Sequence, residues 1–336
     1  MKYKKIIILI FLVLCTHIAS ASNVKMGSMK PAVIIPEGAQ IVTIGFFPIT
    51  IYDLDISSNT FYLDTYLWLK WKGDVDPTES MELVNAVDKS SLVKEILLDI
   101  PSILSDGSKY QIMRIEGHFF QPFLLNNFPL DNQSIGILIE DSTHGFQQIS
   151  YQVDQLSSGI GDQLYIPGWH INNWNANSFT HDYGTSFGES DTQNGGGAIY
   201  SAVRFEINIS RPTNYFFWKL LLPLIIVISA SWVSLMLDYN LVETRTGMPA
   251  TALLTTVFLQ QGYSENLPQV GYLVLMDKIY VLAYILIVVS LVRAISTAYF
   301  DNDPSYAVKI KQNDRIILIL QVIIFLSYVV WAISQT

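Results

Sequence analysis

Residues Glu243 to Glu265 read ETRTGMPATALLTTVFLQQGYSE. They lie between two long apolar runs but are not uniformly apolar themselves. Steps of three or four from Glu243 reach Gly247, Thr251, Leu254, Phe258, Gln261 and Glu265, which stack along one face of a helix. A carboxylate stands at each end of that face, small or polar residues fill its inner half, and Leu254 and Phe258 occupy its middle. Ala252, Leu253, Val257 and Leu259 fall on the other faces and suit packing against neighbours. A membrane helix with one polar stripe turns it toward a water-filled cavity or the bundle interior. The other reading is an ordinary membrane helix whose threonines bond their own backbone.

The 336-residue chain has room for two domains or more. Half of it is hydrophobic and only 15% is charged, which is low for a soluble protein. A net charge of −9 without basic blocks argues against nucleic acid as a partner. Lys2, Lys4 and Lys5 precede the apolar run Ile6 to Cys15 and then Ala19-Ser20-Ala21, which predicts a secretory signal peptide over residues 1–21. The run is too short to span a membrane comfortably. Its cleavage also removes Cys15, the one cysteine, so the exported chain carries no disulfide.

Residues 22–212 read as an all-β, immunoglobulin-like sandwich. Phe61 to Trp71 alternates, with Phe61, Leu63, Leu67, Leu69 and Trp71 on one face and Tyr62, Asp64, Tyr66, Trp68 and Lys70 on the other. Ile135 to Ile139 is a buried-strand candidate, and Val203 to Ser210 alternates throughout. Turn residues cluster at Ser157-Ser158-Gly159 and Gly195-Gly196-Gly197. Met81 to Leu98 fits a short helix or a loop. At Arg211-Pro212 the composition changes, and residues 213–336 read as four membrane helices at about 214–238, 246–264, 272–299 and 314–334. The exported β-domain sets the first helix running inward. The loop 300–314 is then inside, where Arg293, Lys309, Lys311 and Arg315 at or near it agree with the positive-inside rule.

An exported sandwich joined directly to four helices, the second polar-striped, resembles the pentameric ligand-gated ion channels of the Cys-loop receptor superfamily. Phe128-Pro129-Leu130-Asp131-Asn132-Gln133 matches that family's aromatic-Pro-apolar-Asp-x-Gln signature. Arg211-Pro212 matches the arginine before the first helix, Pro223 the proline inside it, and Leu267-Pro268 the turn after the second. Trp68 falls at the loop D aromatic. The bridging loop lacks both cysteines and the large cytoplasmic insert is absent, as in bacterial members. Gly247 and Pro249 depart from the family early in the second helix, so the regular helix begins near Thr246–Met248 or starts earlier and is kinked.

The resemblance implies a homopentamer in a bacterial inner membrane, its β-domain on the periplasmic or extracellular side, passing cations and gated by a small agonist. Glu243, Gly247, Thr251, Leu254, Phe258, Gln261 and Glu265 would line the pore, with Leu254 and Phe258 as an apolar gate that blocks ions by dewetting. Glu243 would set cation selectivity, since acidic rings select cations. Arg245, about 200° around the helix from Glu243, would point away from the lumen. Asp131 and Arg211 would form a partly buried ion pair, coupling the domains together with Pro129 and Pro268. Trp68, Asp141, Phe146, Tyr183, Phe187 and Tyr200, with Glu189 nearby, would enclose the agonist. Aromatics with acids suit a cationic amine, while protons, hydroxide or a small acid stay open. No cofactor is implied. An enzyme would need a constellation that this chain lacks: it shows no metal-ligand spacing, nucleophile elbow or phosphate loop. A membrane-anchored sensor or adhesin is the rival, and it needs neither the striped helix nor the junction signature.

Overall fold

The structure is a computed structural model. It describes residues 28–31, 35–188, 198–265, 267–298 and 304–334. The predicted signal peptide, Glu189 and the rest of 189–197 lie outside the described residues.

Two sheets form the N-terminal domain. One has the order β1 (Ser28–Pro31), β10 (His170–Asp182), β11 (Ile199–Ser210), β8 (Asn132–Asp141), β4 (Met81–Leu83). The other runs β5 (Val93–Ile96), β7 (Lys109–Phe120), β3 (Thr60–Trp71), β2 (Gln40–Asp55), β9 (Ile149–Val153), with β6 (Ser102–Ile103) pairing to β7. The alternation read in β3 is the one observed: Phe61, Leu63, Leu67, Leu69 and Trp71 all face the core. Phe46 of β2 stacks on Phe205 of β11 at 4.9 Å and ties one sheet to the other. Burying each such side chain contributes roughly 1.5–3 kcal/mol.

Of the two readings of 81–98, the loop is the one observed over 84–92, with strands β4 and β5 on either side and no helix. The only helical turn nearby is Pro77–Ser80, where Asp76 accepts from the Thr78 N–H and Pro77 takes a first-turn position.

Among the described residues four helices follow the sandwich, and each departs from the sequence reading at one end or both. The first opens as π-helical turns, Tyr215–Leu221, and continues as Leu222–Ser234. Pro223 lacks the N–H for an α-helical bond to residue 219, and the π segment ends beside it. The second spans Val242–Ser264, starting four residues before the predicted 246, so Pro249 sits inside it. The third is Leu275–Ala298. The fourth is Pro304–Ser334, so most of the predicted loop 300–314 is helical. Proline suits a first helical position, and no glycine or second proline interrupts the run from there.

Among the described residues, three helical stretches are long and apolar enough to cross a membrane: Tyr215–Ser234, Leu275–Ala298 and Ala307–Ser334. Val242–Ser264 falls short of the predicted fourth span on composition, because its threonines, glutamines and Glu243 dilute its apolar residues.

Candidate functional site: a helix stripe, a domain junction and an aromatic cluster

The second helix presents two unlike faces. Arg245, Pro249, Ala252, Thr256 and Tyr263 are buried against the rest of the bundle. Glu243, Gly247, Thr251, Leu254, Phe258, Gln261 and Glu265 are all exposed on the single chain, Leu254 at 58% and Phe258 at 63%. Val257, read as a packing residue, is exposed as well, at 46%. The first turn is helical, and Arg245 points away from Glu243, 1% exposed, with Nη2 at 2.6 Å from Asp314 Oδ2. Thr246, Thr255 and Thr256 donate to the Val242, Thr251 and Ala252 carbonyls, so several threonines do bond their own helix.

At the domain junction, Arg211 Nε lies 2.8 Å from Asp131 Oδ1, with side chains 14% and 1% exposed. The expected ion pair is present, and it is deeper than a turn aspartate would be. Gln133 Nε2 donates to the other Asp131 oxygen at 2.6 Å. The guanidinium lies 4.2 Å over the Trp169 ring and 5.1 Å over Phe128, a cation held between aromatic faces. Phe128 stacks on Tyr263 of the second helix, and Tyr263 on Tyr280 of the third. Pro129 is buried within the bridging loop. That loop also caps the third helix: the Asn126 and Phe128 carbonyls accept from the Leu275 and Met276 N–H groups. Unpaired N–H groups at a helix start need such acceptors. Pro268 is half-buried in the turn after the second helix, and the ion pair does not include it.

Tyr183, Phe187 and Tyr200 come together as the sequence suggested. The Tyr183 ring lies 5.0 Å from Phe187 and 5.9 Å from Tyr200, and His181 adds a fourth ring at 4.0 Å. Phe187 has a positive φ of 53° and is 65% exposed, which lifts its ring over the cluster's rim. Phe146 is half-buried beside them, its N–H bonded to the Ile199 carbonyl at 2.9 Å.

The acid of this cluster is Glu140, not Asp141. Neighbouring residues on a strand face opposite ways. Asp141 turns into the space between the sheets, 1% exposed, and accepts from Ser80, Tyr151 and the Thr143 and His144 N–H groups. Glu140 instead accepts at Oε2 from Tyr183 Oη and meets His181 Nδ1, each at 3.1 Å. Its Oε1 is buried with no partner among the described residues. Burial pushes the Glu140 carboxyl above the ordinary glutamate range, the His181 and Tyr183 hydrogen bonds offsetting only part of that. Tyr183 is raised too, first by burial and then by Glu140.

Trp68 belongs to the other sheet and does not join the cluster within one chain. It is buried outside the apolar core, its Nε1 donating to Asp154 Oδ2 at 3.0 Å. Lys70 meets the same oxygen at 2.7 Å. The indole lies against Gly45, where any Cβ would come within 1.9 Å of the ring. Burial raises the Asp154 carboxyl, but hydrogen bonds from Lys70, Trp68 and Ser157 outweigh it and leave the group lowered.

No family model matches the chain. Among curated proteins it is 22% identical to a proton-gated ion channel of Gloeobacter violaceus, over 82% of this chain and 78% of that one. It is 22% identical to a Caenorhabditis elegans gamma-aminobutyric acid receptor subunit beta, over 78% of this chain and 49% of the receptor subunit. A Haemonchus contortus glutamate-gated chloride channel subunit beta is 25% identical over 66% of this chain and 46% of its own length. Its homologues are channels of the pentameric Cys-loop superfamily. They are ligand-gated channels, not enzymes, and the chain spans about half the length of these animal relatives. One relative is named a chloride channel, so homology by itself does not carry the cation preference read from Glu243.

Trp169, Tyr263, His181 and Glu140 escaped the sequence reading. Only Glu140 carries a signal in the sequence, its place beside Asp141 on the strand.

Proposed function

We propose that this chain forms a homopentameric, cation-selective, ligand-gated channel in a bacterial inner membrane, with the β-domain on the periplasmic side. The observation that carries the reading is the exposure of all seven stripe residues while the opposite face of the same helix is buried. Five copies around an axis would turn that stripe into a pore, with Val242–Ser264 as a fourth span shielded from lipid by its neighbours. Leu254 and Phe258 would form the apolar gate and Glu243 the selective ring at the inner mouth. Asp131, Arg211 and Pro129 would transmit motion from sandwich to helices, with Pro268 in the adjoining turn. The agonist site would use Tyr183, Phe187, Tyr200 and Phe146 from one subunit and Trp68 from the next. The unpartnered Glu140 oxygen suits the ammonium of a cationic amine, and Asp141 has no part in it.

Current across planar bilayers in a KCl gradient tests the reading. Leu254→Ser is expected to give standing current without agonist, with Phe258→Ser similar or smaller, because a polar ring keeps the constriction wet. Glu243→Gln is expected to shift the reversal potential toward zero selectivity. Leu253→Ser, off the stripe, should lower expression instead. Standing current from Leu253→Ser with silence from the other two would move the register. A primary amine applied at constant pH, followed by a pH step alone, separates amine from proton as the stimulus.

A further inference from the structure

We propose that the cavity at the far end of the helical bundle binds a phosphate-bearing anion, either the headgroup of an anionic phospholipid or free phosphate. The first helix starts at the sandwich, so its end, the start of the second helix and the start of the fourth all lie away from it. There a cavity of about 260 Å³ is lined by Leu237, Asp238, Tyr239, Arg245, Lys311 and Asp314, among others.

Arg245 carries the inference. It is 1% exposed and uses Nη2 on Asp314, yet its Nε and Nη1 are buried with no partner among the described residues. Buried donors without acceptors are costly, and cationic ones most of all. The carboxylate opposite is shared, because Arg293 Nε lies 2.6 Å from the other Asp314 oxygen. Two guanidinium groups on one carboxylate leave one positive charge over. Lys311, exposed at the wall, adds a second, and Asp238 removes one. Among the described residues the balance is a net positive cavity, with two unpartnered donors of the buried Arg245 and the Tyr239 side chain in its wall. Phosphate oxygens are the acceptors that match guanidinium donors best. On the reading that these helices span a bilayer, this end lies at headgroup depth, where basic pockets between helices hold anionic lipid heads.

The full-length protein in detergent tests this without any measurement of current, so loss of binding leaves the channel reading standing and a silent channel leaves this one standing. Dioctanoyl phosphatidylglycerol, dioctanoyl phosphatidylcholine and inorganic phosphate serve as probes, read by native mass spectrometry and by the rise in Tm. Lys311→Gln removes an exposed charge and is expected to weaken binding about tenfold, the scale of one charge-assisted contact. Arg245→Lys keeps a cation opposite Asp314 and is expected to abolish binding. Phosphatidylglycerol binding that phosphate does not displace identifies the lipid head. Equal protection by phosphate identifies the free anion. No saturable binding of either, or equal affinity in parent and both variants, overturns the site and leaves water as the occupant.

Discussion

The chain holds two buried arginine–aspartate centres, one at each end of its helical bundle, and they are built differently. At the sandwich end, Asp131 has one arginine and one glutamine, and the arginine lies against two aromatic rings. At the far end, Asp314 has two arginines, one of them almost fully enclosed, beside a cavity that Tyr239 also lines. Similar charges thus make a joint in one place and an open socket in the other. The difference teaches that an ion pair's role is read from what surrounds the donors left over. Arg211 also has a buried nitrogen without a hydrogen bond, but aromatic faces stand over it.

The largest expected effect breaks the far centre. Asp314→Asn leaves Arg245 and Arg293 facing each other and should cost about 3–5 kcal/mol or prevent folding. Yield and Tm should fall further than for Asp131→Asn, whose orphaned arginine keeps its aromatic neighbours. An equal or larger loss from Asp131→Asn would erase the distinction. Next comes the joint itself. Asp131→Ala and Arg211→Ala should each lower Tm and impair gating, and the double variant should lose less than the sum by about 1–3 kcal/mol. Strict additivity would mean that the two residues act separately.

The smallest effect sharpens the contrast with a third buried acid. Glu140 has no arginine, and its folded-state carboxyl is raised by burial. A raised group contributes stability below its unfolded value and loses it as pH rises through the folded one. Glu140→Gln should therefore flatten the Tm-against-pH curve between the ordinary glutamate range and the raised value above it. A curve parallel to that of the parent would mean that Glu140 does not sense its burial.

What the sequence made legible was local and periodic. The faces of β3, the strand after the Phe128–Gln133 signature and the direction of Arg245 all follow from steps of two or 3.6 residues. What it hid was set at a distance. Trp169 and Arg211, or Arg293 and Asp314, meet only because the chain folds back, and no spacing announces them. The early start of the second helix was hidden for another reason. Pro249 reads as a first-turn residue, yet packing of Arg245 on the fourth helix holds the turn ahead of it in helical form. Glu140 and Asp141 adjoin on one strand, and a one-residue slip exchanges the two faces, so the sequence alone does not tell which acid meets the aromatic cluster.

Gly45 leaves the room that the Trp68 indole fills. The two positions share one volume, so neither can vary freely while the other stays as it is. Over evolutionary time they should drift as a couple: any lineage that gains a side chain at 45 must shrink or swing the ring at 68. That swing would carry the indole off Asp154 Oδ2 and leave that oxygen to Lys70 alone. A change with no polar atom of its own, on the neighbouring strand, could in this way retune the polar contacts of Trp68.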